Sequence, residues 1–205
     1  MPPDETKAPK KILYCASTAS HIVNFHIPYL KAFHNRGVEV HVAVDERTDI
    51  PWADTVFGVH FRKRFLSWDN IRALYDLHKI VRREQYDMVV SNTTLAGVIV
   101  RLALIFMRHR PRVCHIVHGY IFNMDSGLRK YLYLIPEKIA ALVSDVVLVM
   151  NEEDRQIATR YHLYKEQLHR IDGMGLDVSR FASLDEEKAL QLRSQMDLRR
   201  DDVVY

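Results

Sequence analysis

Short apolar runs alternate with longer amphipathic segments along most of the chain, a pattern typical of α/β proteins with a parallel sheet. The runs are rich in β-branched residues, which favours strands covered on both faces. The second run, VEVHVAV, alternates most regularly, and the third run is the weakest. The predicted strands are residues 10–16, 38–44, 56–61, 86–92, 113–117 and 145–150, with a further short strand after residues 161–169.

Between these strands, apolar residues recur every three or four positions, which predicts helices. Pro28 predicts a kink in the first helix or a helix start near Ile27, and Pro136 predicts an interruption of the fourth helix. Residues 95–108 are apolar nearly all round, so this helix is expected to pack closely on the sheet. The predicted helices are residues 21–36, 69–84, 95–108, 126–143, a segment that begins after Asn151, and 183–198.

The order of these elements predicts the fold class. Strands and helices alternate about six times, which predicts a Rossmann-like α/β fold, a doubly wound parallel sheet with right-handed crossovers.

Residues 1–9 are polar and contain proline, and we interpret them as a loose leader before a domain of residues 10–181. Residues 182–205 combine a charged helix with the strand-like end DDVVY. We interpret this segment as an interdomain helix and the start of a truncated second domain.

Composition narrows the class of protein without identifying it. A chain of 205 residues, 48% hydrophobic and 27% charged, is ordinary for a globular domain with a full core. The net charge of +3 is mild, and the sequence has no long Lys/Arg run and no basic face interleaved with aromatic residues, which argues against nucleic-acid binding. Cys15 and Cys114 both lie in apolar runs, so we expect buried, reduced thiols.

The sequence shows no feature of secretion or of a membrane span. The leader lacks the apolar core of a signal peptide, and the longest nearly apolar stretch, residues 95–107, contains Arg101. That stretch is shorter than the ~20 residues that a spanning helix needs. We therefore expect a cytoplasmic protein, with peripheral membrane contact possible through the basic segments Arg62–Arg64 and Arg108–Arg112. A solvated basic rim is the alternative interpretation of both segments.

Polar side chains follow three of the predicted strands at the edge where each strand ends. Residues 112–123, RVCHIVHGYIFN, are typical of a buried strand that stops at His118 and turns sharply at Gly119. The first and fourth strands end in Ser17–His21 and Ser91–Thr94. We expect these loops to surround one cleft, because ligands of open α/β sheets bind at this edge. From these residues alone, a ligand-contacting His118 and a packed structural histidine remain alternatives.

Several strong motifs are missing from the sequence. The first turn lacks G-x-G-x-x-G, and no Walker loop occurs, so neither nucleotide-binding fingerprint is present. The motifs H-E-x-x-H, C-x-x-C and G-x-S-x-G are missing as well, which argues against a zinc site, a redox thiol pair and a hydrolase nucleophile. His115 and His118 lie three apart on a strand, so their side chains should point to opposite faces. We therefore expect no metal site.

Five segments together resemble the amino-terminal half of family 4 glycosyltransferases of the capsular or exopolysaccharide biosynthesis type. They are ILYCASTASHIVNFHIPYLKAFHNRGVEVHVA, SNTTLAGVIVRLAL, HIVHGYIFN, VVLVMNEEDRQIA and HRIDGMGLDVSRF, and the last two are the most specific. The resemblance implies the GT-B architecture, in which two Rossmann-like domains face each other. In such enzymes the second domain holds most of the nucleotide-sugar donor and the first domain holds the acceptor, and the resemblance implies no cofactor.

The resemblance also implies roles for individual positions. His118 matches the histidine that reaches the transferring sugar, and it is the candidate catalytic residue. For Asn151 and Glu152, helix capping is the alternative role, and for His21 it is simple solvation. Gly173 and Gly175 match the interdomain segment and could equally be hinge positions. The candidate substrate-binding residues are Ser17, Thr18, Ser20, His21, Asn92, Gly119, Tyr120, Asn151, Glu152, Gly173 and Gly175.

Two features depart from the family pattern: Thr18–His21 stands where relatives commonly carry glycine, and the sequence contains no second domain. The implied function is retaining transfer of a hexosyl-type sugar from a nucleotide-sugar donor to a lipid-linked glycan or polysaccharide acceptor at the cytoplasmic membrane face. This chain would supply the acceptor-side half and would be inactive without a carboxyl-terminal donor-binding domain. The alternative is a noncatalytic subunit that recruits the acceptor or the membrane and docks a separate donor-binding subunit.

Overall fold

The computed structural model describes residues 8–62, 67–123, 127–175, 185–199 and 202–203. The strands are Lys11–Cys15 (β1), Glu39–Val44 (β2), Thr55–Gly58 (β3), Met88–Asn92 (β4), Arg112–Val117 (β5), Val146–Val149 (β6) and Gln167–Arg170 (β7). The α-helices are Ala19–Phe25 (α1), Ile27–His34 (α2), Trp68–Glu84 (α3), Thr94–Leu104 (α4), Tyr131–Ala140 (α5), Glu152–Tyr161 (α6) and Glu186–Gln195 (α7).

All seven strands form one parallel sheet in the order β3-β2-β1-β4-β5-β6-β7. The chain therefore winds outward from β1 in one direction and then from β4 in the other, which confirms the predicted doubly wound Rossmann-like fold. One buried cluster lies between the sheet and helices α3 and α4, and a second lies between the sheet and helices α1 and α2. Most of α4 is buried, as its all-round apolar sequence predicted.

Proline has different effects in the two helices where the sequence predicted a break. The first predicted helix is divided at His26 into α1 and α2, and Pro28 is near the start of α2, where it removes no helical hydrogen bond. The predicted interruption at Pro136 is wrong, because α5 continues through this residue. One side of α5 is buried, at Leu134, Glu137 and Ala140. The tertiary packing of this side outweighs the local cost of the proline.

The structure divides into two compact units, Met1–Met174 and Gly175–Tyr205. The predicted domain boundary near residue 181 stays a prediction.

Both cysteines are free thiols, with Cys15 buried and Cys114 half-buried. Of the predicted terminal strand, residues 202–203 have no regular structure, and the rest lies outside the described residues, as do 63–66 and 176–184. Among the described helices, none combines the length and apolar character needed to cross a bilayer.

Candidate functional site

Three loops meet at the carboxyl edge of the sheet, because β1, β4 and β5 are neighbours there. The Asn92 side-chain amide donates to the Cys15 carbonyl at 3.1 Å, and the Thr94 hydroxyl donates to the Gly119 carbonyl at 3.2 Å. The predicted meeting of these loops is confirmed. They border a cleft of about 600 Å³. Its polar lining includes Ser17, Thr18, Asp45, Arg62, Thr93 and Thr94.

His118 is solvent-exposed and follows the last residue of β5. Gly119 has φ 123°, a left-handed conformation that a side chain would oppose, so this glycine allows the chain to turn directly after His118. The Nε2 atoms of His118 and His21 lie 3.4 Å apart, and the two rings meet edge to face with centroids 4.7 Å apart. The predicted position of His118 at an open edge of the sheet is therefore observed, while its chemical role stays a prediction.

A third histidine, His26, lies beneath this pair. It occupies the break between α1 and α2 and is fully buried, with its Nδ1 atom 3.0 Å from the Tyr14 hydroxyl. Its ring centroid is 5.0 Å from that of His21 and 5.7 Å from that of His118. Its Nε2 atom is buried and has no hydrogen-bond partner in the part of the chain that the structure describes. We call His21, His26 and His118 the three-histidine cluster.

Burial keeps the three-histidine cluster uncharged near neutral pH. Burial, with added repulsion from the other two imidazoles, lowers the pKa of His26 to about 3. Partial burial and the nearby His21 lower the pKa of His118 to about 4, and burial also lowers the pKa of His21. Burial raises the pKa of Tyr14, so its neutral hydroxyl can donate to His26 Nδ1. In this assignment His26 carries its proton on Nε2.

Neutral imidazoles are also ligands for transition metals, and one nitrogen from each member of the cluster lies within 4.8 Å of the others. At Zn–N distances of ~2.0–2.1 Å, two ligand nitrogens are at most ~4.2 Å apart. The 3.4 Å between the Nε2 atoms of His21 and His118 therefore suits a shared metal. Any two nitrogens of the cluster that lie more than ~4.2 Å apart would have to move closer together to bind the same ion. His115 lies outside the cluster, because it bonds Ser91 beneath α4. The expectation of a metal-free site stays a prediction.

One of the predicted binding residues in the first turn, Thr18, bonds the backbone of α1. The Thr18 hydroxyl caps α1 by accepting from the His21 backbone N–H at 3.3 Å and from the Ser20 hydroxyl at 3.2 Å. Ser17 and Thr18 both line the cleft. Asn92 holds β1 through the bond described above, but its Oδ1 atom is buried without a partner among the described residues. The first turn therefore combines structural bonds with access to the cleft, whereas Asn92 is buried and its observed bond is structural.

The remaining predicted residues are more dispersed. Asn151 caps α6 by accepting from the Asp154 backbone N–H at 2.7 Å, and it shares a second cleft of about 330 Å³ with Gly119 and Tyr120. Glu152 is exposed and pairs with Arg155 at 2.6 Å, so its observed contact is structural. The Tyr120 hydroxyl is buried and lacks a described partner. Gly173 and Gly175 have φ values of 102° and 76°, where glycine is favoured.

Two residues of the site, His26 and Asp45, were missed from the sequence, whereas Thr93 lies in the predicted Ser91–Thr94 loop. His26 is five positions from His21, a spacing that on one continuous helix would place the two side chains on different faces. Asp45 follows β2 and accepts from the Ala19 backbone N–H at 2.9 Å, which joins β2 to the start of α1. Thr93 has φ 63° and ψ 152°, a conformation that a β-branched residue rarely adopts, and such strain is concentrated at functional sites.

The model for Glycosyltransferase Family 4 matches residues 29–174. "Putative glycosyltransferase EpsD" of Bacillus subtilis (strain 168) is 32% identical over 197 residues, which cover 95% of this chain and 52% of that protein. An Escherichia coli UDP-Gal:alpha-D-GlcNAc-diphosphoundecaprenol alpha-1,3-galactosyltransferase is 28% identical over 117 residues, which cover 55% of this chain and 29% of that protein. The chain spans about half the length of the first relative and less of the second.

Solved structures share the fold at low sequence identity. UDP-N-acetylglucosamine 2-epimerase from Rickettsia bellii matches with a TM-score of 0.65 and 12% identity, covering 93% of this chain and 52% of that chain. Anabaena Alr3699/HepE in complex with UDP-glucose matches with a TM-score of 0.56 and 13% identity, covering 91% and 50%. The family model covers most of the chain, and the parallel sheet is that of a Rossmann-like domain, the amino-terminal half of a GT-B fold. The chain therefore belongs to Glycosyltransferase Family 4.

Proposed function

We propose that this chain is the acceptor-side half of a retaining glycosyltransferase. The enzyme would move a sugar from a nucleoside diphosphate donor to a lipid-linked glycan or polysaccharide acceptor. The three-histidine cluster carries this proposal, because it places an exposed, neutral His118 at the carboxyl edge of the sheet. The next residue, Gly119, is bonded through its carbonyl by Thr94, which lines the cleft. The names of the relatives support it, since the Escherichia coli relative is named for a UDP-Gal donor and a diphosphoundecaprenol-linked acceptor.

The electrostatics of His118 suit the transfer of a sugar. When the bond between the anomeric carbon and the leaving diphosphate breaks, positive charge grows on that carbon. The oxygen of the acceptor hydroxyl then bonds to the carbon, and the hydroxyl proton passes to an oxygen of the released diphosphate. A charged imidazole next to this carbon would oppose the change. His118, with a pKa of about 4, is neutral and can bond a sugar hydroxyl without adding positive charge. His21, at 3.4 Å, is placed to orient the His118 ring, and His26 supports both rings from below.

We assign the cleft of about 600 Å³ that the three loops border to the acceptor. Its hydroxyl groups, the Asp45 carboxylate and the Arg62 guanidinium offer both hydrogen-bond acceptors and donors to a glycan and its diphosphate. The donor nucleotide would be held mainly by a carboxyl-terminal domain or subunit, with Gly173 and Gly175 as the connecting hinge. No metal or cofactor is assigned to the reaction, and the enzyme would work at the cytoplasmic face of the membrane.

The test is sugar transfer by the intact protein that contains this chain, with UDP-sugars as donors and a polyprenyl diphosphate glycan as acceptor. We expect His118→Ala to lower the transfer rate by about 100-fold, because one positioned electrostatic contact in the transition state is removed. The fold should be retained, since His118 is exposed. His109→Ala, another exposed histidine, is the matched control and should transfer normally.

Two results would contradict this assignment. If folded His118→Ala transfers as fast as the unchanged protein, the catalytic role of His118 is wrong. If the intact protein transfers sugar only after a separate donor-binding subunit is added, the noncatalytic recruiting subunit is the better description.

A further inference from the structure

One face of the α5 region is apolar and open to solvent. Residues 127–143 continue as a 3-10 turn, the helix α5 and a second 3-10 turn. The five exposed aliphatic side chains of this segment recur at steps of four, three, four and three residues, so they lie on one face. They are Leu128, Leu132, Ile135, Ile139 and Leu142, with exposed fractions of 86, 66, 56, 43 and 66%. We call these five residues the α5 stripe.

The opposite side of α5 is anchored in the core, so the α5 stripe cannot turn inward. Glu137 is buried and its Oε2 atom lies 2.7 Å from an Arg101 guanidinium nitrogen. Arg101 is itself fully buried on α4 and also bonds the Gly97 carbonyl and the Ser144 hydroxyl. Breaking a buried ion pair of this kind is strongly unfavourable. The orientation of α5 is therefore fixed, and its aliphatic face points away from the core.

The charges along the same segment have one sign on the solvent side. Residues 127–143 are all described, and Glu137, which is buried and paired, is their only carboxylate. Arg129, Lys130 and Lys138 supply three positive charges. The Lys138 ammonium donates to the carbonyls of Tyr161 and His162, and these bonds do not neutralise its charge. Aliphatic side chains combined with an excess of cations are typical of helices that lie in the surface of an anionic membrane.

We propose that the α5 stripe docks on the surface of an anionic lipid bilayer, with the segment lying parallel to the membrane. The segment of 17 residues is ~25 Å long, which suits an in-plane helix. A contiguous apolar surface of this kind on a folded domain usually marks an interaction site, and the surrounding cations favour a negatively charged partner. The inference rests on the proposed function, because a protein that acts on a lipid-linked acceptor has to reach the membrane in which that acceptor is anchored.

The test is co-sedimentation of the intact protein with two kinds of vesicle, phosphatidylcholine alone and phosphatidylcholine mixed with phosphatidylglycerol. We expect binding to the mixed vesicles, with weaker binding in high salt. The double variant Leu132→Gln, Ile139→Gln should bind about tenfold or more weakly, because two apolar contacts are lost. Arg129→Gln should bind about fivefold more weakly. The control is Leu190→Gln, Leu192→Gln, which alters two exposed leucines of α7 and should bind normally.

Three outcomes would overturn the inference. The first is that the intact protein binds neither kind of vesicle. The second is that the α5 stripe variant and the α7 control bind equally well, which would place the membrane contact elsewhere. The third is that the protein forms a dimer that the α5 stripe variant abolishes, without vesicle binding, which would make a second copy the partner. Vesicle binding requires no turnover, so transfer to a water-soluble acceptor tests the proposed function separately.

Discussion

His26 makes the stability of the folded chain depend on pH in a calculable way. Its folded pKa is about 3, against an ordinary value of ~6.5 in the unfolded chain. Between these values the unfolded chain binds a proton that the folded chain does not, so the free energy of unfolding falls as the pH is lowered. The contribution of neutral His26 is fully present above pH ~6.5 and is lost progressively on acidification. From pH 7 to pH 4 the loss is about 3 kcal/mol, using ~1.4 kcal/mol per pKa unit.

A loss of this size is measurable, because domains are stable by only ~5–15 kcal/mol. The variant His26→Phe keeps a ring of similar size and cannot be protonated, so it should lack this part of the pH dependence. It leaves the Tyr14 hydroxyl without its partner, which should lower stability by about 1–3 kcal/mol at both pH values. Adding Tyr14→Phe removes that hydroxyl and should recover part of the loss.

The assay is urea unfolding of the unchanged protein and of His26→Phe at pH 7 and pH 4, with EDTA present to exclude bound metal. Other groups, including Asp145, whose pKa is lowered by Arg110, also lose stability in acid, but they are common to both proteins. The difference between the two pH effects therefore isolates His26. His109→Asn, a change of an exposed histidine, should follow the unchanged protein. Equal acid losses in the unchanged protein and His26→Phe would refute a buried, neutral His26.

Two further predictions concern the buried ion pair and the three-histidine cluster. Glu137→Ala should lower the free energy of unfolding by about 3–5 kcal/mol in urea, because Arg101 is left buried without its carboxylate. Replacing both residues by leucine should recover most of this loss, and an equally unstable double variant would contradict the explanation. In the transfer assay, chelation with EDTA should leave the rate unchanged, whereas excess Zn²⁺ should inhibit by binding the neutral imidazoles. Inhibition should weaken in His26→Phe, and a rate that falls on chelation would contradict metal-free transfer.

The parallel sheet and the meeting of its loops were predictable, because they depend on local patterns and on one general rule. Apolar runs such as residues 113–117 identify strands, and ligand loops of parallel sheets share the carboxyl edge. The exposed position of His118 follows from that rule. The neighbours that tune its pKa do not, since the contact with His21 joins residues 97 positions apart and depends on how α1 meets the residue after β5.

The errors have the same physical origin. The sequence predicted an interruption at Pro136, but the buried ion pair of the next residue, Glu137, holds α5 in place. It did not indicate His26, because the break between α1 and α2 changes the direction of that side chain relative to a continuous helix. Asp45 lies in a loop, where side-chain positions depend on contacts between distant segments. Local propensity was outweighed wherever tertiary contacts decided the geometry.

His118 and the α5 stripe belong to adjoining parts of the chain, and this connection limits how far apart they can lie. Leu128 comes ten positions after His118, so the two cannot be more than ~35 Å apart even if the backbone between them were fully extended. A lipid headgroup in contact with Leu128 would therefore lie within roughly this distance of the exposed imidazole. If the α5 stripe lies on the membrane, the segment that follows β5 holds His118 near the lipid headgroups, and it joins the proposed membrane contact to the candidate site.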